Sequence, residues 1–168
     1  MYNIKGDDSG LRTYTYDSAI YARKITLIGI FCTAVLIYAG VRILAGGSLP
    51  VWTGVGVVAA YTVWETFISL SNPRQVRMDE HEIIFSAYGR EHRYGWNEIS
   101  QFRVKELTGA RKLFIRINQA GFFRGRYWLH CYYFNDTDEL YNAIVDRECL
   151  IHPDSIKAWA RGKSKPVS

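Results

Sequence analysis

Residues 25–70 read ITLIGIFCTAVLIYAGVRIL, AGGSLP and VWTGVGVVAAYTVWETFISL. Arg42 and Glu65 are the only charged residues between Lys24 and Arg74, although 22% of the 168-residue chain is charged. A mean hydropathy of −0.12 and a hydrophobic fraction of 48% therefore average two unlike regions. Without positions these values describe a soluble globular domain. With positions they describe an apolar hairpin joined to a charged domain. Three cysteines and a mixed composition exclude a disulfide-rich toxin, a collagen and a disordered chain.

The apolar stretch divides at 45–50, a turn-forming Ala-Gly-Gly-Ser-Leu-Pro cluster. The flanking segments, approximately 25–44 and 49–70, have the length needed to cross a hydrocarbon core of about 30 Å at about 1.5 Å per residue. Gly29, Ala34 and Gly40 in the first, and Gly54, Gly56, Ala59 and Ala60 in the second, are small residues of the kind that let membrane helices approach closely. Trp52, Tyr61 and Trp64 include interfacial anchors. A signal peptide would place a shorter apolar run nearer the start, without Asp7, Asp8 and Asp17 ahead of it. Two transmembrane helices are expected.

Basic residues set the expected topology. Lys5, Arg12, Arg23 and Lys24 precede the first span, and Arg74 and Arg77 follow the second. The positive-inside rule puts both termini in the cytoplasm and the Gly-rich turn outside, so the protein is expected as a multi-pass protein of the cytoplasmic membrane. Cys131 and Cys149 then lie where thiols stay reduced.

Two intramembrane polar residues need roles. Arg42, near the outer end of the first helix, is placed to snorkel to headgroups. Glu65, about a turn and a half inside the inner end of the second, is expected roughly opposite Gly29. Three roles are open to it: reaching Lys24 or the interface, pairing with a group on another subunit, or serving a proton or ion pathway.

From Gln75 the pattern changes to period two. Strands are expected at 75–79, 82–88, 90–95, 101–107, 111–118 and 126–134, separated by turn signals at Asp79-Glu80-His81, Gly89-Arg90, Thr108-Gly109 and Ala120-Gly121. After Asn135 the period becomes helical, with Leu140, Tyr141, Ile144 and Val145 on one stripe and acids early. The expected division is a cytoplasmic N-terminal segment (1–24), the helical hairpin (25–72), a β-rich domain (73–151) and a basic, frayed tail (152–168). The fold class is a membrane α-helical hairpin plus α+β: a PH-like antiparallel β-barrel or sandwich capped by a C-terminal helix.

Two spans followed by Arg77-Met78-Asp79-Glu80-His81-Glu82-Ile83-Ile84, and then Tyr94-Gly95-Trp96-Asn97-Glu98-Ile99, resemble the bacterial pleckstrin-homology-like membrane proteins, YcxB-like in general architecture. The resemblance covers roughly 74–150, with the hairpin matching by architecture. It implies a "W-x-E-I" step after the third strand and a closing helix that starts with acids. Lipid-binding members of the wider fold take headgroup phosphates through basic residues around the first hairpin. Here that turn reads Asp79-Glu80-His81-Glu82 and would repel phosphate.

A different cluster is basic. With Thr108-Gly109 as the hairpin tip, Lys105 is expected opposite Lys112, Arg103 opposite Phe114 and Gln101 opposite Arg116, all turned away from Phe102, Val104, Leu113 and Ile115. Arg111, Arg124 and Arg126 extend the set. Like charges across a sheet are unfavourable unless an anion is near. Two readings stand: a solvated face neutralised by Glu98 or Glu106, or contact with anionic lipid headgroups or an acidic partner. The aromatic run of Phe122, Phe123, Tyr127, Trp128, Tyr132, Tyr133 and Phe134 is expected to send about half its rings into the core and half outward.

No H-E-x-x-H, C-x-x-C, Walker or G-x-S-x-G spacing occurs, and His130 and Cys131, adjacent in an expected strand, point to opposite faces. No catalytic residue, cofactor or metal is expected. A sequence pI near 9.1 follows from the inside flanks and the tail, so nucleic acid is not expected as a partner. The expected function is a non-catalytic accessory, assembly or scaffolding subunit that docks on other membrane subunits or copies of itself, with anionic lipid as a further partner. The alternative is a self-contained immunity or stress protein engaging anionic lipid or a pore-former.

Overall fold

The computed structural model describes residues 11–121 and 123–162. Helix α1 spans Ser18–Leu44 and α2 spans Leu49–Ile68, and both are long and apolar enough to cross a membrane. The first begins seven residues before the charge-free run, because Asp17 caps it. Its Oδ1 accepts from the backbone N–H of Ala19 and Ile20 at 3.0 and 2.9 Å. Only 11% of each apolar window is buried, so the rest of the described chain does not cover these helices as it would core helices.

The helices run antiparallel with small residues at the seam. Ala39 and Ala59 are buried, and Gly56 lies against the Ala39 methyl. A Cβ on Gly29 would sit 2.7 Å from both Thr66 and Phe67. Thr66 and Phe67, rather than the expected Glu65, therefore face Gly29. The connection turns at Gly46, whose φ is +78°, and the Gly47 N–H returns to the Arg42 carbonyl at 2.8 Å. Both helices have a π-helical turn at the end near the β domain, at Ala22–Thr26 and Trp64–Ile68.

Among the described residues, seven strands form two antiparallel sheets. β1 (Arg12–Thr15), β2 (Gln75–Met78), β3 (Glu82–Ala87) and β4 (Arg90–Gly95) pair in that order; β5 (Phe102–Leu107), β6 (Lys112–Ile117) and β7 (Arg126–His130) form the second sheet. β1 lies in the segment expected to be separate from the domain. Its four residues have one buried ring, Tyr14, too short an alternation to signal a strand. Because β1 pairs with β2 from Arg12↔Met78 to Thr15↔Gln75, the helical hairpin is an insertion between neighbouring strands. The Asp79–Glu82 turn consequently joins the second and third strands, not the first and second. The expected strand at 126–134 ends at His130, where a 3₁₀ turn (Cys131–Tyr133) takes over.

Alternate residues of both sheets fill one core. Val76, Ile83, Phe85, Phe102, Leu113, Ile115, Tyr127 and Leu129 are fully buried. Phe85 and Tyr127 stack across the sheets with centroids 4.0 Å apart, and the Tyr127 hydroxyl meets Tyr94 at 2.6 Å and His92 Nδ1 at 2.8 Å. Helix α3 (Thr137–Ile151) closes the core with Leu140, Ile144, Val145 and Cys149. Trp96 of the W-x-E-I step donates its Nε1–H to the Asp79 carbonyl and packs under the Arg147 guanidinium at 4.6 Å; Ile99 is buried.

The described part of the tail, to Gly162, is not frayed. Helix α4 (Ile156–Ala160) buries Ala158 completely. The basic residues Lys163 and Lys165 lie outside the described residues.

Candidate functional site

Strands β5, β6 and β7 bury one face and expose the other. The register sets Arg103 opposite Arg116 and Arg116 opposite Arg126, Lys105 opposite Phe114 and Phe114 opposite Trp128, and Leu107 opposite Lys112 and Lys112 opposite His130. The expected pairing of Lys105 with Lys112 is therefore displaced by two residues. A 3₁₀ turn at Thr108–Ala110, with Arg111 at φ +45°, lengthens the connection and moves the tip. The result is more concentrated than expected: three guanidinium groups in one row, on strands about 5 Å apart.

This row costs stability, since like charges directly opposite are unfavourable by roughly 0.2–1 kcal/mol per pair. Among the described residues no side-chain hydrogen bond or ion pair reaches Arg103, Lys105, Lys112 or Arg116. Arg126 makes one long contact, 3.4 Å to the Ala120 carbonyl. Phe114 and Trp128 lie ring against ring beside the arginines, 4.4 Å apart. The face is thus cationic along one row and aromatic along the next.

The neutralising acids considered from sequence are elsewhere. Glu106 accepts from Tyr141 at 2.5 Å and pairs with Lys157 and Arg161 at 3.1 Å, on the opposite side of β5. Burial pushes its carboxyl up, but the hydrogen bonds of Tyr141 and Lys157 and two cations outweigh that and hold it below the ordinary value. Glu148 accepts the Val104 N–H and the Lys157 ammonium, each at 2.6 Å. Sequence gave no local sign of this cluster, because its four members come from β5, α3 and the last two turns of described chain.

Two expected members leave the patch. Arg124 reaches the Arg93 carbonyl and lies over the Tyr94 ring at 4.5 Å, because Gly125 at φ +92° reverses the chain just before β7. Arg111 pairs with Asp138 at the start of α3.

The patch adjoins the helices along its β7 edge. Lys112 and His130 line one cleft with Lys24, Ile28, Tyr61 and Glu65. Arg126 lines another with Tyr61, Trp64 and Glu65. The Ser71 carbonyl, just past α2, accepts the Trp128 N–H at 2.7 Å. Glu65 accepts from the Tyr61 hydroxyl at 2.8 Å, so it looks into these clefts rather than across the hairpin. Arg42 lies at the far end of the hairpin, 5.5 Å from the Trp52 ring, which in turn meets Tyr38 edge to face. His130, half-buried in the first cleft, is pushed down to about 4 by burial and by the charges of Lys112 and Lys24.

At the opposite edge the face continues into an open groove of about 1130 Å³, floored by Arg103, Phe114, Arg116 and Trp128 and walled by Ile151 and His152–Ser155. Among the described residues no three His, Cys, Asp or Glu side chains come close enough together to hold a metal ion. Comparisons with family models, with characterised proteins and with solved structures found no match.

Proposed function

We propose that this chain is a membrane-anchored, non-catalytic docking protein, an accessory or scaffolding subunit of a larger membrane assembly. The observation that carries this reading is the insertion of two long, uncovered apolar helices between the paired strands β1 and β2. Both ends of the hairpin are tied to one sheet, through β1 and β2. The domain is read as PH-like, supported by its four-plus-three strand arrangement closed by a helix. Basic residues flanking the inner helix ends support a cytoplasmic β domain, with the Gly46–Gly47 turn outside.

The helices have more contact surface than they use on each other. Gly29 and Gly56 serve the seam between them, whereas Cβ positions on Gly40 and Gly54 would meet nothing within 4 Å. Neighbouring subunits or further copies fit that open surface, since small residues allow close backbone approach. Glu65, hydrogen-bonded to Tyr61 and lining the cationic clefts, is in this reading a polar contact at the interface rather than part of an ion path.

Affinity purification of the tagged full chain in a mild detergent tests the proposal. A stoichiometric membrane complex or a defined homo-oligomer is expected. A lone monomer, across detergents that preserve other membrane complexes, would overturn it.

A further inference from the structure

Building on the membrane reading, we propose that the outer face of β5–β7 docks on the headgroups of anionic phospholipids in the same membrane. Position is the first ground. Lys112, His130 and Arg126 share clefts with Ile28, Tyr61 and Glu65, and Tyr61 lies about two turns up α2 from its inner end. The helices therefore rise on the side of the sheet that this face looks toward. If they cross the bilayer, the face looks at its surface.

Charge is the second ground. Arg103, Arg116 and Arg126 form one row, Lys105 and Lys112 flank it, and among the described residues four of these five cations make no side-chain hydrogen bond or ion pair, while Arg126 reaches only a backbone carbonyl. Guanidinium groups bind phosphate bidentately, and cations held at an anionic leaflet each bias the bound state by about fivefold. Asp154 lies on the groove wall and Glu65 lines the clefts shared with Arg126 and Lys112, so both acids border the row and neither stands in it.

Chemistry of the surroundings is the third. Trp128 and Phe114 sit beside the arginines, and an indole next to cations suits the boundary between headgroups and acyl chains. Helix α4, just past the groove wall, leaves Ile156 and Trp159 86% and 75% exposed, apolar surface of the kind that interfacial segments bury. An acidic protein would have to enter between the face and the bilayer, so lipid is the occupant the geometry favours.

The test uses the full chain in vesicles of phosphatidylcholine alone or mixed with phosphatidylglycerol. Two photoactivatable lipids are included in turn, one carrying its diazirine in the acyl chain and one in the headgroup region. Mass spectrometry maps the adducts. Acyl-chain adducts on α1 and α2 report insertion independently of the face. With the helices labelled, headgroup adducts on peptides of β5–β7 are expected to rise at least fivefold in the anionic vesicles. They should return to the phosphatidylcholine level in Arg103→Glu/Arg116→Glu and partly in Arg103→Gln/Arg116→Gln, with helix adducts unchanged. Labelled helices with a face that is unlabelled, or equally labelled in both vesicles, would overturn this inference alone and turn attention to an acidic protein. Unlabelled helices would overturn the membrane reading beneath it.

Discussion

Two cationic clusters lie on either side of strand β5, and they are built differently. Lys157 and Arg161 are brought in by α4 and meet Glu106 and Glu148, so every charge has an opposite within 2.6–3.1 Å. Arg103, Arg116 and Arg126 stand in a row with no carboxylate among them. The first cluster is part of how the fold closes: Glu148 and Lys157 hydrogen-bond the N–H and C=O of Val104 on the open edge of β5. The second closes nothing. In the first cluster the cations come with their acids, and those of the second are left for an external anion.

The largest expected difference follows from removing a member of each. Glu148→Ala leaves the Val104 N–H and Lys157 without partners in a half-buried place, at a cost of about 2–4 kcal/mol. Arg116→Gln relieves repulsion from two neighbours and should be neutral or stabilising by up to about 1 kcal/mol. Thermal unfolding of each full-length variant in a neutral detergent measures both. Equal losses would erase the distinction between the clusters.

Acid sharpens it further, because the two sides titrate in different windows. His130 is held neutral, down at about 4, so the unfolded chain binds its proton first. Stability from this site is complete above about pH 6.5 and is lost as pH falls toward 4. His92, also lowered by burial and by Arg124 and Arg90, adds to the same loss. Glu106 is depressed, so its contribution is present above its unfolded value of about 4.3 and is lost only as pH falls through its folded value. Between pH 7 and 5 His130→Gln should flatten the fall in melting temperature, while Glu106→Gln should lower the curve without changing its slope there. The reverse pattern would contradict the assignment.

The smallest effect concerns the hairpin. Gly40→Ala should leave the monomer's stability within about 0.5 kcal/mol, since a Cβ there meets nothing. Gly29→Leu should disturb the seam against Thr66 and Phe67. Oligomer or complex yield after purification separates them: Gly40→Ala is expected to act only on assembly.

How much of this was legible depends on range. The hairpin and six of the strands were readable because charge depletion and period-two alternation are local signals. β1 was not, since four residues with one buried tyrosine become a strand only by pairing with β2 across the whole hairpin. The basic face was readable as a set, but its register was not. The 3₁₀ turn at Thr108–Ala110 moved the tip, and a two-residue shift keeps every side chain on its expected face while changing every partner. That shift turned a supposed Lys105–Lys112 pair into a row of three arginines. The Glu106–Glu148–Lys157–Arg161 cluster, assembled from distant segments, had no sequence signature.

The proposed topology has the hairpin crossing a membrane with its turn and the β domain on opposite sides. Ser48→Cys and Asp154→Cys, each introduced into a full chain with Cys32 replaced by Ala, can be tested with a membrane-impermeant thiol reagent on intact cells. Cys131 and Cys149 are buried and stay silent. Labelling at 48 without permeabilisation, and at 154 only after it, is the predicted result. Labelling of both positions from the same side would contradict that topology.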